Sequence, residues 1–212
     1  MATGPSVWTV VVAAGAGTRF GSAKQFLELG GSRVVDRSVD MAAQVSDGVV
    51  VVVPPGDVET ESARLAASEV VAGGASRAAS VRNGLAAVPD DAAIICVHDA
   101  ARPLAGPDVY ERVIQEVRSG AAGAVPVVPV TDTIRSVDGG VVDRSTLQAV
   151  QTPQAFRAEL LRAAHAGADD ATDDAGLVEA AGYAIATVEG HPRNIKITHP
   201  DDLVAAEAWL AT

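Results

Sequence analysis

A glycine-rich segment with two cations lies near the start of the chain, directly after a run of apolar residues. It reads Ala13-Ala14-Gly15-Ala16-Gly17-Thr18-Arg19, and Lys24 follows five positions later. Small residues let a backbone approach a ligand closely, and successive free N–H groups can form a concave site for anionic oxygens. Because phosphate groups also need nearby positive charge, we expect Arg19 and Lys24 to stabilise a bound polyphosphate.

The spacing of the glycines separates this loop from two common phosphate-binding patterns. Gly15, Gly17 and Gly21 are one residue too widely spaced for a dinucleotide-binding loop, and the second predicted strand ends in Pro54-Pro55-Gly56 instead of a ribose-binding acid. A Walker loop needs Gly-Lys-Ser/Thr, which is absent from this segment. A dehydrogenase is therefore disfavoured, and a purely structural turn would not need the two cations.

Charge is distributed unevenly along the chain. The formal net charge is −11, which argues against a nucleic-acid surface because such a surface needs clustered positive charge. Of the 16 basic residues only Lys24 and Lys196 are lysines. An ammonium group is a compact point charge, unlike a guanidinium group, so both lysines are candidates for a functional site.

Valine- and isoleucine-rich runs alternate with segments of helical spacing. The strand candidates are Val7 to Ala13, Val49 to Val53, Ile94 to Val97, Ala124 to Val130 and Tyr183 to Val188. The helix candidates are Ser32 to Gln44, Asp57 to Ala67, Ser76 to Val88, Pro107 to Arg118, Asp173 to Ala181 and a last helix from Pro200. Continuous apolar strands are buried on both faces, which predicts a Rossmann-like, doubly wound α/β domain with a mostly parallel sheet over residues 1–212.

Ligands of such a sheet bind beyond the carboxyl ends of the strands. The segments to inspect are therefore residues 14–24, 73–80, 98–103 and 131–133. Residues 133–145 are too polar for the core and read as a hairpin, with Asp138-Gly139-Gly140 at its turn. We expect this segment to project as an arm.

Two further features bear on the class of protein. The lone Cys96 lies in an apolar run and is expected to be a buried small hydrophobe. The longest apolar run, Val49 to Val53, is far shorter than the about 20 residues of a membrane span. With no signal-type segment in Met1 to Ser6, we expect no membrane association and a cytoplasmic location.

The four histidines show neither a Ser/His/Asp arrangement nor metal-ligand spacing. A phosphate monoester is itself an anionic nucleophile near neutral pH, so a phosphate acceptor needs no general base, and catalysis would consist of positioning and charge neutralisation. Asp99, just past a predicted strand, is the best Mg²⁺ ligand, with a helix-capping role as its alternative. His98 is expected to be a packed or hydrogen-bonded residue and not a ligand.

These motifs together resemble the nucleotidylyltransferase family. Its first strand leads into A-A-G-x-G-x-R and then K-Q, matched here by residues 13–19 and Lys24-Gln25. Gly73-Gly74, Val97-His98-Asp99-Ala100-Ala101-Arg102-Pro103, Thr152-Pro153-Gln154 and Asn194-Ile195-Lys196 follow in family order, so that the resemblance covers nearly the whole chain. It implies the nucleotide-diphospho-sugar transferase type of fold.

The resemblance also implies the reaction. It is the transfer of a cytidylyl group from CTP to 2-C-methyl-D-erythritol 4-phosphate, in non-mevalonate isoprenoid precursor biosynthesis. Transfer to another polyol phosphate, such as ribitol 5-phosphate, is an alternative. A second alternative is a non-catalytic nucleotide-binding module. The presence of Lys24 and Lys196 argues against it.

The resemblance further implies a CTP site with a magnesium ion on Asp99. Cytosine would be recognised by backbone groups of Ala14, Gly74 and Ala75 and by the Ser80 hydroxyl, although many relatives have an acid where Ala75 stands. Arg77 would hold the loop together instead of contacting ligand. The expected CTP-binding residues are Ala13, Ala14, Gly15, Ala16, Gly17, Thr18, Arg19, Lys24, Gly74, Ala75, Ser80, Asp99 and Lys196.

The acceptor site is implied to be shared across a homodimer, with a dimerisation arm at about residues 133–150. Arg144 and Lys196 would bind the acceptor phosphate and join Arg19 and Lys24 as catalytic cations. For Arg135 a solvated charge is as good an explanation as a contact, and Thr172-Asp173-Asp174 reads equally well as a helix cap. The expected acceptor-binding residues are Arg102, Thr133, Arg144, Thr152, Thr172 and Lys196.

Overall fold

The computed structural model describes residues 4–15, 17, 20, 23–166 and 173–211. Its strands are β1 (Val7–Val12), β2 (Glu28–Leu29), β3 (Ser32–Arg33), β4 (Gly48–Val53), β5 (Glu69–Ala72), β6 (Ile94–Asp99), β7 (Gly123–Pro129), β8 (Ile134–Arg135), β9 (Val141–Val142), β10 (Gln148–Val150), β11 (Gln154–Arg157) and β12 (Ile185–Glu189). Its α-helices are α1 (Val34–Val45), α2 (Val58–Ser62), α3 (Arg77–Ala87), α4 (Pro107–Arg118), α5 (Ala158–Ala166), α6 (Asp174–Ala180) and α7 (Pro200–Leu210).

Eight strands of the described residues form one sheet. Its order is β10-β7-β11-β6-β1-β4-β5, with β12 also paired to β7. The pairs of β1 with β4 and β6, of β4 with β5, and of β12 with β7 are parallel. Within this sheet, the pairs made by β10 and β11 are antiparallel. The predicted mostly parallel α/β sheet is therefore confirmed.

Both faces of the sheet are covered, as the continuous apolar strands predict. Val11 belongs to one buried cluster, with α1 and α4, whereas its neighbour Val10 belongs to another, with α3 and α5. Successive side chains of a strand point to opposite faces, so both neighbours can be buried only between two helix layers. Helix α4 buries Val109, Tyr110, Val113, Ile114 and Val117, one stripe of helical period.

Several segments differ from the sequence prediction, and three of them lie in or beside the main sheet. The helix expected over Asp57 to Ala67 is shorter and is limited to α2 (Val58–Ser62). Glu61 is the one buried residue of α2, and a short helix without a buried apolar face gains little stability from packing. The chain then forms β5 alongside β4, a strand that the prediction missed. It also missed β11, whose four residues include two polar ones and give no clear apolar run.

The polar segment after β7 forms a short hairpin. Ile134 and Arg135 of β8 pair with Val142 and Val141 of β9 in antiparallel register. Gly139 and Gly140 both have positive φ, which lets the chain reverse at the predicted place. The strands are two residues long, shorter than the sequence suggests, and Val137 at the tip is fully exposed.

A third apolar cluster secures the segment that carries Lys196. Ile197 is completely buried with Leu29, Val34 and Ala206, which brings together β2, α1 and α7. The Ile197 N–H also donates to the carbonyl of Ala101, at 2.8 Å. These contacts fix the backbone beside Lys196 against the turn that follows β6.

No helix in the described part of the chain combines the length and the apolar character that crossing a membrane requires.

We expect Ile197→Ala to lower the free energy of unfolding by about 2–5 kcal/mol, because it removes a fully buried side chain and leaves a cavity. Val204→Ala, on the exposed face of α7, is the matched control and should change it by less than about 0.5 kcal/mol. Urea unfolding of the three proteins measures both values. Equal stability of the Ile197 variant and the wild type would show that this cluster does not hold α7 in place.

Candidate active site

A cavity of about 490 Å³ opens at the carboxyl ends of β1 and β6. Its walls are the loop after β1, residues 74–77 with the first turn of α3, the end of β6, and Lys196. This is the edge at which a doubly wound sheet binds ligands. The sequence-predicted residues that line it are Ala13, Ala14, Gly15, Gly17, Lys24, Gly74, Ala75, Ser80, Asp99 and Lys196.

Close packing holds the loop after β1 against the sheet. Gly17 has φ 62°, a conformation that favours glycine. The buried Gln25 donates from Nε2 to the carbonyl of Gly15, at 3.3 Å, and so ties the two ends of the loop together. A β-carbon on Gly73 would lie 2.3 Å from that of Ala14, so only glycine lets these two walls of the cavity meet.

Lys24 stands on a turn that is fixed from behind by Arg33. Lys24 begins a 3₁₀ turn that ends at Phe26, and the Arg33 guanidinium lies 5.6 Å from the centre of the Phe26 ring. Arg33 also donates to the buried carboxylate of Glu61, at 2.8 and 2.9 Å, and to Asp36, at 2.7 and 3.0 Å. Sequence reasoning missed this support, because a lone Arg-Phe pair seven residues apart gives no motif.

Asp99 is the electrostatic centre of the cavity. Its Oδ2 lies 2.6 Å from Nζ of Lys196, and its Oδ1 lies 3.4 Å from Nε of Arg77. Burial alone would raise the pKa of this carboxyl, but the charges of Arg77 and Lys196 outweigh it and hold the pKa well below its usual range. Asp99 is therefore ionised at neutral pH.

His98 and Thr152 support Asp99 from beneath. The Thr152 hydroxyl accepts a hydrogen bond from the Asp99 N–H, at 3.0 Å, and lies 3.0 Å from Nδ1 of His98. Since Nε2 of His98 must donate to the carbonyl of Arg102, at 3.2 Å, Nδ1 of the neutral ring accepts from Thr152. Burial lowers the pKa of His98 to about 4. The expectation of a packed, hydrogen-bonded histidine is confirmed.

Two of the predicted base-binding groups, Gly74 and Ser80, are already hydrogen-bonded to each other. The Gly74 N–H donates to Oγ of Ser80, at 3.1 Å, and that hydroxyl donates to the carbonyl of Ser76, at 2.9 Å. Ser76 also caps α3 by accepting from the Ala79 N–H. The Ser80 oxygen thus shapes the loop, and its predicted contact with cytosine stays a prediction.

The other predicted residues are divided between two places. Thr152 is buried under Asp99, and Arg102 donates to the carbonyls of Asn194 and Val150, so both brace the walls of the cavity without lining it. Arg144 is exposed near the hairpin and donates to the carbonyl of Thr131, and Thr133 is exposed there too. Their contacts with an acceptor stay predictions. Ala16, Thr18, Arg19 and Thr172 lie outside the described residues.

The helix-capping alternative for Asp99 is wrong, because α4 begins after Gly106 and no cap bond reaches Asp99. Among the described residues no three His, Cys, Asp or Glu side chains lie together as a ready-made metal site. A magnesium ion can however be held by one carboxylate together with phosphate oxygens and waters. The ionised Asp99, which faces the cavity beside the glycine loop, fits that requirement.

The sequence profile of one family, 2-C-methyl-D-erythritol 4-phosphate cytidylyltransferase, matches residues 7–212. The chain belongs to this family. A curated member from Nocardia farcinica is 50% identical over 97% of this chain and 94% of its own length. A second, from Rhodococcus jostii, is 50% identical over 98% of this chain and 96% of its own length.

Solved structures of this family share the fold. The crystal structure of 2-C-methyl-D-erythritol 4-phosphate cytidylyltransferase from Thermus thermophilus superposes with a TM-score of 0.84 at 38% identity, covering 99% of this chain and 100% of that chain. The resemblance inferred from the motifs is therefore confirmed, together with its fold.

The low pKa of His98 predicts a pH-dependent stability. An unfolded imidazole takes up a proton as the pH falls through about 6.5, whereas the folded one stays neutral down to about 4. Protonation thus favours the unfolded chain, and the free energy of unfolding should fall as the pH drops from 6.5 towards 4. Urea unfolding at several pH values should show a smaller fall for His98→Asn. The exposed His191→Asn is the control, and an equal fall in all three proteins would contradict the assignment.

Proposed function

We propose that this protein transfers the cytidylyl group of CTP to the phosphate of 2-C-methyl-D-erythritol 4-phosphate. The products are 4-diphosphocytidyl-2-C-methyl-D-erythritol and pyrophosphate. The family match over residues 7–212 carries this proposal. The cavity supports it, since Lys24, Asp99 and Lys196 meet there beside a glycine loop at the carboxyl edge of the sheet. The family finding does not favour ribitol 5-phosphate as the acceptor.

The chemistry needs positioned charge more than acid–base groups. An oxygen of the acceptor phosphate attacks the α-phosphorus of CTP, and the bond from that phosphorus to the bridging oxygen of the β-phosphate breaks. The acceptor is already an anion, so no side chain has to remove a proton. Lys24, with Arg19, would stabilise the charge that develops on the α-phosphate and on the departing pyrophosphate.

Lys196 has two roles in this proposal. It contacts Asp99 at the wall of the cavity. With substrates present it would exchange that carboxylate for phosphate oxygens, which an ammonium on a flexible stem can do with little rearrangement. During this exchange the buried side chain of Ile197 would keep the neighbouring Lys196 backbone in place.

The proposal includes magnesium as the cofactor, with Asp99 as its ligand. Bound magnesium would neutralise charge on the triphosphate and orient its oxygens for in-line attack. Asp99 is suited to this because the cations around it keep it ionised.

The proposal also includes one domain over residues 1–212 and a homodimer formed through the arm at about residues 133–150. The isolated two-residue strands of β8 and β9 make a hairpin too short to be stable on its own in water. Val137 and Val141 are exposed there, with 102% and 66% of their reference areas accessible. A second subunit would cover them and bring Arg144 over the neighbour's acceptor site. The cytoplasmic location stays a prediction.

Pyrophosphate release measured over four nucleoside triphosphates and two polyol phosphates tests the reaction. We expect turnover with CTP and 2-C-methyl-D-erythritol 4-phosphate, at least about tenfold above any other pair, since a site built for one set of hydrogen bonds rejects ligands that leave them unpaired. Chelation should abolish it and magnesium restore it. Faster turnover of ribitol 5-phosphate would overturn the assigned acceptor, and pyrophosphate release that is unchanged by chelation would overturn the assigned cofactor.

Complementation tests the shared acceptor site. We expect Arg144→Ala and Lys196→Ala homodimers both to be poor enzymes. Mixing them with subunit exchange should restore about a quarter of the wild-type activity, because about half of the dimers become mixed and each holds one intact site of two. Mass spectrometry of differently tagged subunits verifies the exchange. Exchange without recovery means that Arg144 and Lys196 serve the same subunit's site.

A further inference from the structure

Four side chains of alternating charge run from the cavity into the protein interior. Lys196 contacts Asp99, Asp99 contacts Arg77, and Arg77 contacts Asp174. Asp174 is 1% exposed and also accepts from Nε2 of His165, at 3.0 Å. Asp174 does not line the cavity, and among the described residues its ion pair with Arg77 links it to a lining residue.

Arg77 is shared unequally between its two carboxylates. Its terminal nitrogen lies 2.8 Å from Oδ2 of Asp174, a full charge-assisted hydrogen bond. Its Nε lies 3.4 Å from Oδ1 of Asp99, beyond the usual length of such a bond. The guanidinium is thus bonded more closely to Asp174 than to Asp99.

This sharing matters because Asp99 has a second cation on its other oxygen. Lys196 already lies 2.6 Å from Oδ2. If Arg77 closed fully onto Oδ1, both oxygens would be covered by protein cations. A divalent ion would then have to displace two close ion pairs instead of one close pair and one longer one.

We propose that Asp174 is a positioning residue that draws Arg77 away from Asp99 and so keeps Asp99 available to a divalent cation. The proposal rests on the proposed magnesium site at Asp99. Burial disfavours ionisation of Asp174, but His165 and Arg77 outweigh it and lower the pKa of the carboxyl. Asp174 is thus an anion at neutral pH and can compete for the guanidinium.

Asp174→Asn tests the proposal, because it keeps the shape of the side chain and removes its charge. Arg77 should then move onto Asp99. The probe is Mn²⁺ with CTP and no acceptor, so that no turnover occurs, and electron paramagnetic resonance reports free Mn²⁺. We expect the dissociation constant of Mn²⁺ from the protein–CTP complex to rise about tenfold, a coupling typical of charged groups in one network. Asp174→Glu keeps the charge and should restore most of the affinity.

Asp173→Ala is the matched structural control. Asp173 caps the same helix, α6, by accepting from the Gly176 N–H, and its carboxylate lies outside the ion pairs of Arg77 and His165. Its loss should lower the melting temperature and leave Mn²⁺ affinity unchanged. CTP binding in EDTA separates the two roles further. If Asp174→Asn weakens that binding as much as it weakens Mn²⁺ binding, Asp174 is merely structural and the proposal is wrong.

His165→Leu is a second test, and it answers the question even if Asp174→Asn fails to fold. Without the His165 hydrogen bond, the charge of Asp174 is less compensated and attracts Arg77 more strongly. Mn²⁺ affinity should stay the same or increase, whereas a tenfold loss would overturn the proposal. If the wild type binds Mn²⁺ and a folded Asp174→Asn variant binds it equally well, the role of Asp174 is refuted and the magnesium site is not. No wild-type binding beyond that of CTP by itself would refute the magnesium site as well.

Discussion

Asp99 keeps a negative charge at a place where burial alone would neutralise it. The cations of Arg77 and Lys196 make this possible, and each must be delivered from a distant part of the chain. Arg77 comes from the first turn of α3, and Lys196 comes from the segment anchored by Ile197. The Asp99 backbone is itself fixed by the Thr152 hydroxyl. Several distant parts of the fold thus serve to hold one carboxylate and two cations together at one edge of the sheet.

Polar side chains in and behind the wall of the cavity support it. Gln25 bonds the carbonyl of the lining residue Gly15, Arg102 bonds Asn194 in the segment that carries Lys196, and Arg33 packs on Phe26 in the turn that carries Lys24. Such hydrogen bonds are strengthened by partial burial, because a buried polar group that lacks a partner is costly.

The sequence predicts the architecture and much of the cavity, for identifiable reasons. Valine-rich β1, β4 and β6 have a strong apolar signal, and the segments after them meet by the rule for parallel sheets. Two kinds of feature could not be predicted. Strands such as β5 and β11 are short or partly polar and exist because a neighbour pairs with them. The contact of Arg77 with Asp174 joins residues 97 positions apart, and no local pattern encodes it.

The antiparallel strand β11 also constrains the order in which the chain can mature. It fills the gap between β6 and β7, pairing with Ile94 to Val97 on one side and with Gly123 and Ala124 on the other. While the chain is being synthesised, β6 therefore keeps an unpaired edge until residues 154–157 have emerged. An open, apolar strand edge invites association with other chains. The nascent N-terminal half therefore presents an open strand edge during that period, and the pairing of β11 closes it.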